Sequence, residues 1–198
     1  MERVADVNTL PYVCRMKAPR LTAVDWIAAA FRRLGAGGIA AVRAEAIARD
    51  LGVSKGSFYW HFKDLADLKA RMLEHWQAQA TARIIAMSEG DGLAPHDRLA
   101  RLLELATSDL ADPYGGLTTE AAIRDWARTD PLAAHAQALA DQARQGFLAD
   151  LLVDIGIADA QRNARLILMA YTGAVHLGIE DRAALHADLT HLVARLVP

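Results

Sequence analysis

The chain has 198 residues, 53% of them hydrophobic and 23% charged, which suits one or two small packed domains and excludes wholesale disorder. Net formal charge is −2 but unevenly spread: residues 1–75 balance at +4 and residues 76–198 at −6, so only the first third suits a polyanion. Cys14 is the only cysteine, which rules out an intramolecular disulfide and a cysteine-rich metal cluster and fits a reducing cytoplasm. The first residues lack the basic and apolar regions of a signal peptide. No run of about eighteen apolar residues occurs, so no membrane partner is expected.

Residues 1–20 hold Pro11 and Pro19 and show no periodicity, so they read as an arm ahead of the first helix, with Met16 as an alternative start. Thr22 is placed as an N-cap with Asp25 as its capping-box partner. Val24, Ile27, Ala28 and Phe31 line one face of the first helix, Leu34 follows, and Gly35-Ala36-Gly37-Gly38 stops it. Next comes a short helix with Ala44, Ile47, Ala48 and Leu51 on one face. Gly52 ends it, because glycine reaches the left-handed conformation without a Cβ clash. Val53 plugs the turn, and Ser54 is placed to cap another helix running to about His61. Two helices joined by a tight glycine turn are a helix-turn-helix, whose second helix enters the DNA major groove.

That second helix has an unusual surface. Phe58 and Phe62, four apart, are placed to bury against Ile47 and Leu51. Lys55, Ser57, Tyr59, Trp60 and His61 remain on the other faces, with Gly56 where a side chain would block close approach. A cation, a hydroxyl and polar-tipped aromatics together suit phosphates and base edges better than water.

The run Leu51-Gly-Val-Ser-Lys-Gly-Ser-Phe-Tyr-Trp-His-Phe-Lys-Asp64 resembles the recognition-helix signature of the TetR-type (tetracycline-repressor-like) transcriptional regulators. Gly52, Val53, Ser54, Lys55, Gly56, Tyr59, His61 and Phe62 fall in register, Ser57 and Phe58 are conservative variants, and Gly-Ser-Phe-Tyr-Trp-His-Phe looks like one branch of that family. The motif covers about residues 20–75. The resemblance implies DNA contacts from Arg43, Ser54, Lys55, Gly56, Ser57, Tyr59, Trp60, His61 and Lys63; family members often carry a basic arm that can reach the minor groove or backbone, and residues 1–20 read either as such an arm or as a plain, untidy N-terminus. Arg43 stands where relatives carry a capping threonine; arginine caps poorly but donates well to phosphate. Leu65 stands where they carry a basic residue.

From about Asp64 to Met87 the chain reads as one long connector helix with Leu68, Met72, Trp76, Ile84 and Met87 as its apolar stripe. Gly90 to Gly92 breaks it and Pro95 precedes the next helix, where Leu99, Leu102, Leu103 and Ala106 form a buried face ending near Asp112-Pro113. Residues Glu120 to Arg128 resume as helix with Ile123 and Trp126, Pro131 interrupts, and a long helix follows from about Leu132 to Asp154. Asp159 to Gly178 and Asp181 to Val197 form a closing hairpin. No strand-like alternation occurs, so the fold class is all-α. Residues 21–66 are the expected DNA-binding domain and residues 67–198 a helical ligand-binding and dimerisation domain.

Leu185, Leu189, Leu192 and Leu196 repeat at helical spacing, and Ala170, Gly173 and Ala174 are small enough to admit another helix. Because related regulators dimerise through their last two helices, these seven residues are the expected homodimer seam. Met72, Trp76, Met87, Leu103, Trp126, Phe147, Met169 and Tyr171 are candidate lining for an apolar effector pocket. None of the seven histidines forms His-x-x-x-His or His-Glu-x-x-His, and no nucleophile elbow, P-loop or dinucleotide fingerprint occurs. No metal, cofactor or catalysis is expected, and Asp and Glu read as scattered over solvated positions. The favoured function is a repressor released from a palindromic operator by a small molecule. The alternative is a small helical enzyme or ligand carrier with an incidental helix-turn-helix.

Overall fold

The computed structural model describes residues 21–90, 92–108, 114, 116–179 and 181–197; the expected arm and Asp112-Pro113 lie outside them. The described residues form helices and connecting turns. Helix α1 is Ala23–Gly37, α2 is Ala44–Asp50, and a 3₁₀ recognition turn covers Lys55–Trp60. Then come α3 (Leu65–Gln77), a π-helical turn Ala78–Ala82, α4 (Arg83–Glu89), α5 (Pro95–Thr107), α6 (Gly116–Trp126), α7 (Pro131–Ile155), α8 (Ala160–His176) and α9 (Arg182–Leu196). None of these is long and apolar enough to cross a membrane.

Local chemistry sets the ends. Thr22 and Asp25 form a full capping box at α1, the Asp25 carboxylate accepting from the Thr22 N–H at 2.7 Å. The helix passes through Gly35 and ends at Gly38, whose φ of +66° is left-handed territory. Its buried face is broader than the spacing suggested: Trp26 and Phe31 are fully enclosed, with Ala30 and Leu34, while Val24 is exposed and Ala28 only half-buried. Asp130 caps α7 by accepting from the Leu132 and Ala133 N–H groups, with Pro131 at the first helical position, where its missing N–H costs nothing.

Helices α3 and α4 and the π turn form the expected connector, continuous from Leu65 to Glu89. The π turn widens one turn of the connector, and Thr81 within it is buried. Helix α5 stops at Thr107, earlier than expected, with Leu105 buried and Ala106 half-buried, and α6 starts at Gly116, before Glu120. Glycine at 178 has φ +71° and turns α8 towards α9, as the hairpin reading anticipates.

Two cores result. The first packs Trp26, Phe31, Ile47, Phe58, Phe62, Leu68, Met72 and Trp76 against Ile123 and Trp126, so it crosses the boundary proposed at residues 66/67. The second unites α5, the later part of α7, α8 and α9 through Leu99, Leu103, Leu151, Leu152, Ile167, Leu185 and Leu189.

Candidate functional site

The glycine turn has the geometry the sequence requires: Gly52 has φ +67°, and the Val53 N–H donates to the Ala48 carbonyl at 2.9 Å. The following helix is wound as 3₁₀ turns, with the Ser57 N–H on the Ser54 carbonyl at 3.0 Å. Ser54 occupies the N-cap position with extended backbone, but its side chain makes no capping bond; Arg43 likewise sits at the N-cap of α2 without a side-chain cap. The tight winding presents the face at 55, 59 and 60 outward, while Phe58 and Phe62 are buried beneath, their rings 5.2 Å apart. Tyr59 is 58% and Trp60 85% exposed.

The remaining residues expected at DNA differ in exposure. Arg43, Lys55, Gly56 and Lys63 are exposed and Ser57 is half-buried. His61 is half-buried, its ring 6.3 Å from that of Trp26, which also meets Phe58 edge-on at 5.5 Å. A Cβ added at Gly56 would meet only the Ser54 Oγ, at the ordinary distance of 3.7 Å. The fold itself therefore has no need of glycine there. Lys55 is not idle: its Nζ lies 2.5 Å from a Glu45 carboxylate oxygen across the turn. That hydrogen bond, then the attraction of the charge, raises the Lys55 pKa, so the lysine stays cationic.

A cavity of about 120 Å³ lies where the two cores meet. Of the eight residues expected to line a pocket, Trp76, Leu103, Phe147 and Tyr171 do so. Met72 and Trp126 instead fill the first core, Met87 is half-buried away from the cavity, and Met169 is 61% exposed because α8 turns Ile167 inward and Met169 out. Residues the sequence reading passed over complete the lining, among them Phe31, His75, Tyr114 and Glu120. Phe31 belongs to α1, so the cavity reaches the helix that backs the recognition turn.

One wall carries a buried ionic set. Glu120, 4% exposed, accepts from Arg144 at 2.8 and 3.1 Å, from Arg124 Nε at 3.2 Å and from the Trp76 indole N–H at 3.1 Å. Arg124 grips Asp141 with both terminal nitrogens, at 2.9 and 2.6 Å. Arg144 also donates to the Thr81 hydroxyl at 3.0 Å and the Ala80 carbonyl at 3.3 Å, fastening α7 to the π turn. Burial alone would push the Glu120 carboxyl up; the charge and hydrogen bonds of Arg144, helped by Arg124, outweigh it and hold the carboxyl below its ordinary value. Tyr171 goes the other way, pushed up to about 12 mainly by burial. The signal for this set was present as Glu120/Arg124 and Asp141/Arg144 at helical spacings, a pattern shared by solvated surface pairs.

The residues expected at the seam divide by burial within the protomer. Leu185, Leu189 and Ala174 are buried inside the protomer, Leu189 facing the cavity, while Ala170, Leu192 and Leu196 are half-buried and Gly173 is exposed. In α9, Leu185 and Leu189 belong to the second core and Leu196 packs against it, beside α5 and α8 of the same chain. The outward apolar face of α8 is Leu166 (40% exposed), Met169 (61%) and Leu177 (81%), running past Gly173 at helical spacing.

Among the described residues no group of three or more His, Cys, Asp and Glu could hold a metal ion. Residues 27–72 match the family model described as bacterial regulatory proteins, tetR family. No curated protein matches the sequence. The fold is similar to that of a TetR-family transcriptional regulator from Agrobacterium tumefaciens, with TM-score 0.75 and 18% identity over 89% of this chain and 97% of that one. It also resembles a TetR-like transcriptional regulator from Rhodococcus sp. RHA1 (TM-score 0.71, 19% identity, 90% and 97% covered). Regulatory protein TetR from Rhodobacter sphaeroides is a third likeness, at TM-score 0.68 and 23% identity, with 89% and 97% covered. Residues 27–72 thus match the tetR family model, and the described chain is similar in fold to solved regulators of that family.

Proposed function

We propose that the chain is a dimeric, sequence-specific DNA-binding transcriptional regulator, a repressor released from a palindromic operator by a small-molecule effector. The observation that carries this is the recognition turn. A short, rigidly backed segment exposes Lys55, Tyr59 and Trp60 and keeps a glycine its own packing does not require. Glycine within a helix costs about 0.5–1 kcal/mol relative to alanine, so close approach by another molecule is the physical reason to retain it. Tyr59 and His61 act on phosphates; Lys55, Ser57 and Trp60 read base edges, with Arg43, Ser54 and Lys63 adding backbone contacts. Residues 21–66 form the DNA-binding unit and 67–198 the ligand and dimerisation unit.

The homodimer seam is assigned to Leu166, Met169, Gly173 and Leu177 of the α8 segment, beside the exposed small residues Ala184, Ala187 and Ala194 of α9. Two-fold symmetry there matches a palindrome whose half-sites lie about 34–36 Å apart or a multiple of it. The effector occupies the cavity and must favour the state that fits DNA less well. Because Phe31 lines that cavity, occupancy acts directly on α1 of the head. A helical ligand carrier with an incidental helix-turn-helix is the rival reading. Selection from randomised duplexes, then titration at several salt concentrations, separates the two. The regulator selects one palindromic site with a steep salt dependence, and Tyr59→Phe and His61→Ala weaken binding on all sequences. A chain that enriches no duplex refutes the reading.

A further inference from the structure

We propose that the cavity takes an uncharged, single-ring molecule bearing one hydroxyl group, with the His75 imidazole as the partner of that hydroxyl; its role as the effector rests on the regulator reading above.

Size comes first. A cavity of about 120 Å³ compares with the roughly 150 Å³ engineered cavity that holds a benzene. The walls then favour a ring. Phe31, Trp76, Tyr114, Phe147 and Tyr171 all face this space, and aromatic faces and edges pack best against another ring.

Charge is excluded by what the wall already holds. The two carboxylates of Glu120 and Asp141 are matched by the two guanidiniums of Arg124 and Arg144, each bonded within the set. Arg182, also on the lining, donates to the Ser108 carbonyl at 2.6 Å. A charged ligand would have to break such a set or remain buried without a partner, which is costly. Burial keeps the Tyr171 proton in place, so that side chain offers a cation no negative charge.

One lining residue holds an unsatisfied polar atom. His75 Nε2 is buried without a hydrogen-bond partner, while its ring is fixed edge-on to Tyr114 at 4.4 Å between centroids. Burial lowers the His75 pKa, so the ring is neutral and Nε2 is a donor or an acceptor according to its tautomer. A hydroxyl satisfies either one, which a carbonyl or an amine cation does not.

The test uses three probes of nearly one shape: 4-methylphenol, 1,4-dimethylbenzene and benzoate. Titration calorimetry on the full chain should show 4-methylphenol binding about tenfold more tightly than either of the others, because the hydrocarbon leaves the buried nitrogen unpaired and benzoate brings a charge the lining does not balance. His75→Phe, which keeps the ring volume, should bring 4-methylphenol down to the level of 1,4-dimethylbenzene and leave the hydrocarbon unchanged. Nitrogen NMR of the unmodified protein supplies a second readout: the His75 Nε2 resonance should move with 4-methylphenol and hold still with the hydrocarbon. Equal or tighter binding of benzoate or the hydrocarbon, or an unmoved Nε2 resonance, overturns the proposal. Binding of 4-methylphenol through His75 without any loss of affinity for a selected duplex overturns its role as effector. A chain that binds 4-methylphenol in this way yet selects no duplex leaves the site standing and refutes the regulator reading.

Discussion

Glu120→Ala is the most informative single change in the body of the protein. It removes a buried carboxylate that accepts from Arg144, Arg124 and Trp76, and so leaves two guanidiniums facing each other in the cavity wall. Breaking a buried ion pair by deleting one partner costs about 3–5 kcal/mol. The lower end applies here, because Arg124 keeps both bonds to Asp141 and Arg144 keeps Thr81 and the Ala80 carbonyl. For a chain of this size about 1 kcal/mol moves the melting temperature by about 2–4 °C, so a drop of about 6–12 °C is expected in thermal melts followed by circular dichroism. The paired change Glu120→Leu with Arg144→Met should recover most of that loss, since an apolar replacement of a whole buried pair is commonly neutral. The pH dependence has a definite sign. The Glu120 carboxyl is held below its unfolded value, so its stabilisation is full above the unfolded pKa of about 4.3 and is lost as pH falls through the lower folded value. Asp141 is shifted the same way, by Arg124 working against burial. Glu120→Ala should therefore show a shallower fall in stability on acidification than the unmodified protein. A single variant that melts within about 2 °C of wild type, or a double variant no more stable than the single, refutes the reasoning.

Four further substitutions test the other surfaces. Lys55→Ala should flatten base preference at one or two positions per half-site, a loss of about 1–3 kcal/mol of discrimination in a randomised-operator selection, and uniformly weaker binding with unchanged preference would make Lys55 a phosphate ligand. Glu45→Gln, which releases the lysine from its ion pair, should raise affinity on every sequence; no change would show the pair to be irrelevant at DNA. Met169→Arg should give a folded monomer by sedimentation, because Met169 is 61% exposed in the protomer, whereas Leu189→Arg should unfold it, because Leu189 is 3% exposed. A Met169→Arg protein that remains dimeric moves the seam elsewhere.

The helical layout was legible because glycine and proline punctuate it: Gly38, Gly52 and Gly178 take left-handed backbone and Pro131 opens α7 where the spacing places the breaks. The recognition turn was legible too, since Phe58 and Phe62 at i and i+4 leave one outward surface. Three things were not. Leu185 and Leu189 make the same stripe whether a helix packs on its own chain or on a second copy, and periodicity does not distinguish the two. Trp26 was left out of the first helix's apolar face while Val24 was counted, although the wider buried arc encloses the indole and exposes the valine. Glu120 looked solvated because its partner Arg144 comes from another helix 24 residues on. A cavity is likewise a void between elements, and single-element patterns identify faces, not the gaps between them.

The π turn at Ala78–Ala82 changes how this sequence should be laid beside others. Such a turn is one residue inserted into an α-helix without interrupting it. A relative whose connector is regular would be one residue shorter between Trp76 and Arg83, and its gap belongs inside an unbroken helix rather than in a loop. Moving that gap to Gly90 would shift every connector position beyond Trp76 by about 100° around the axis. Thr81, which meets Arg144, would then be matched to a residue from the outer face.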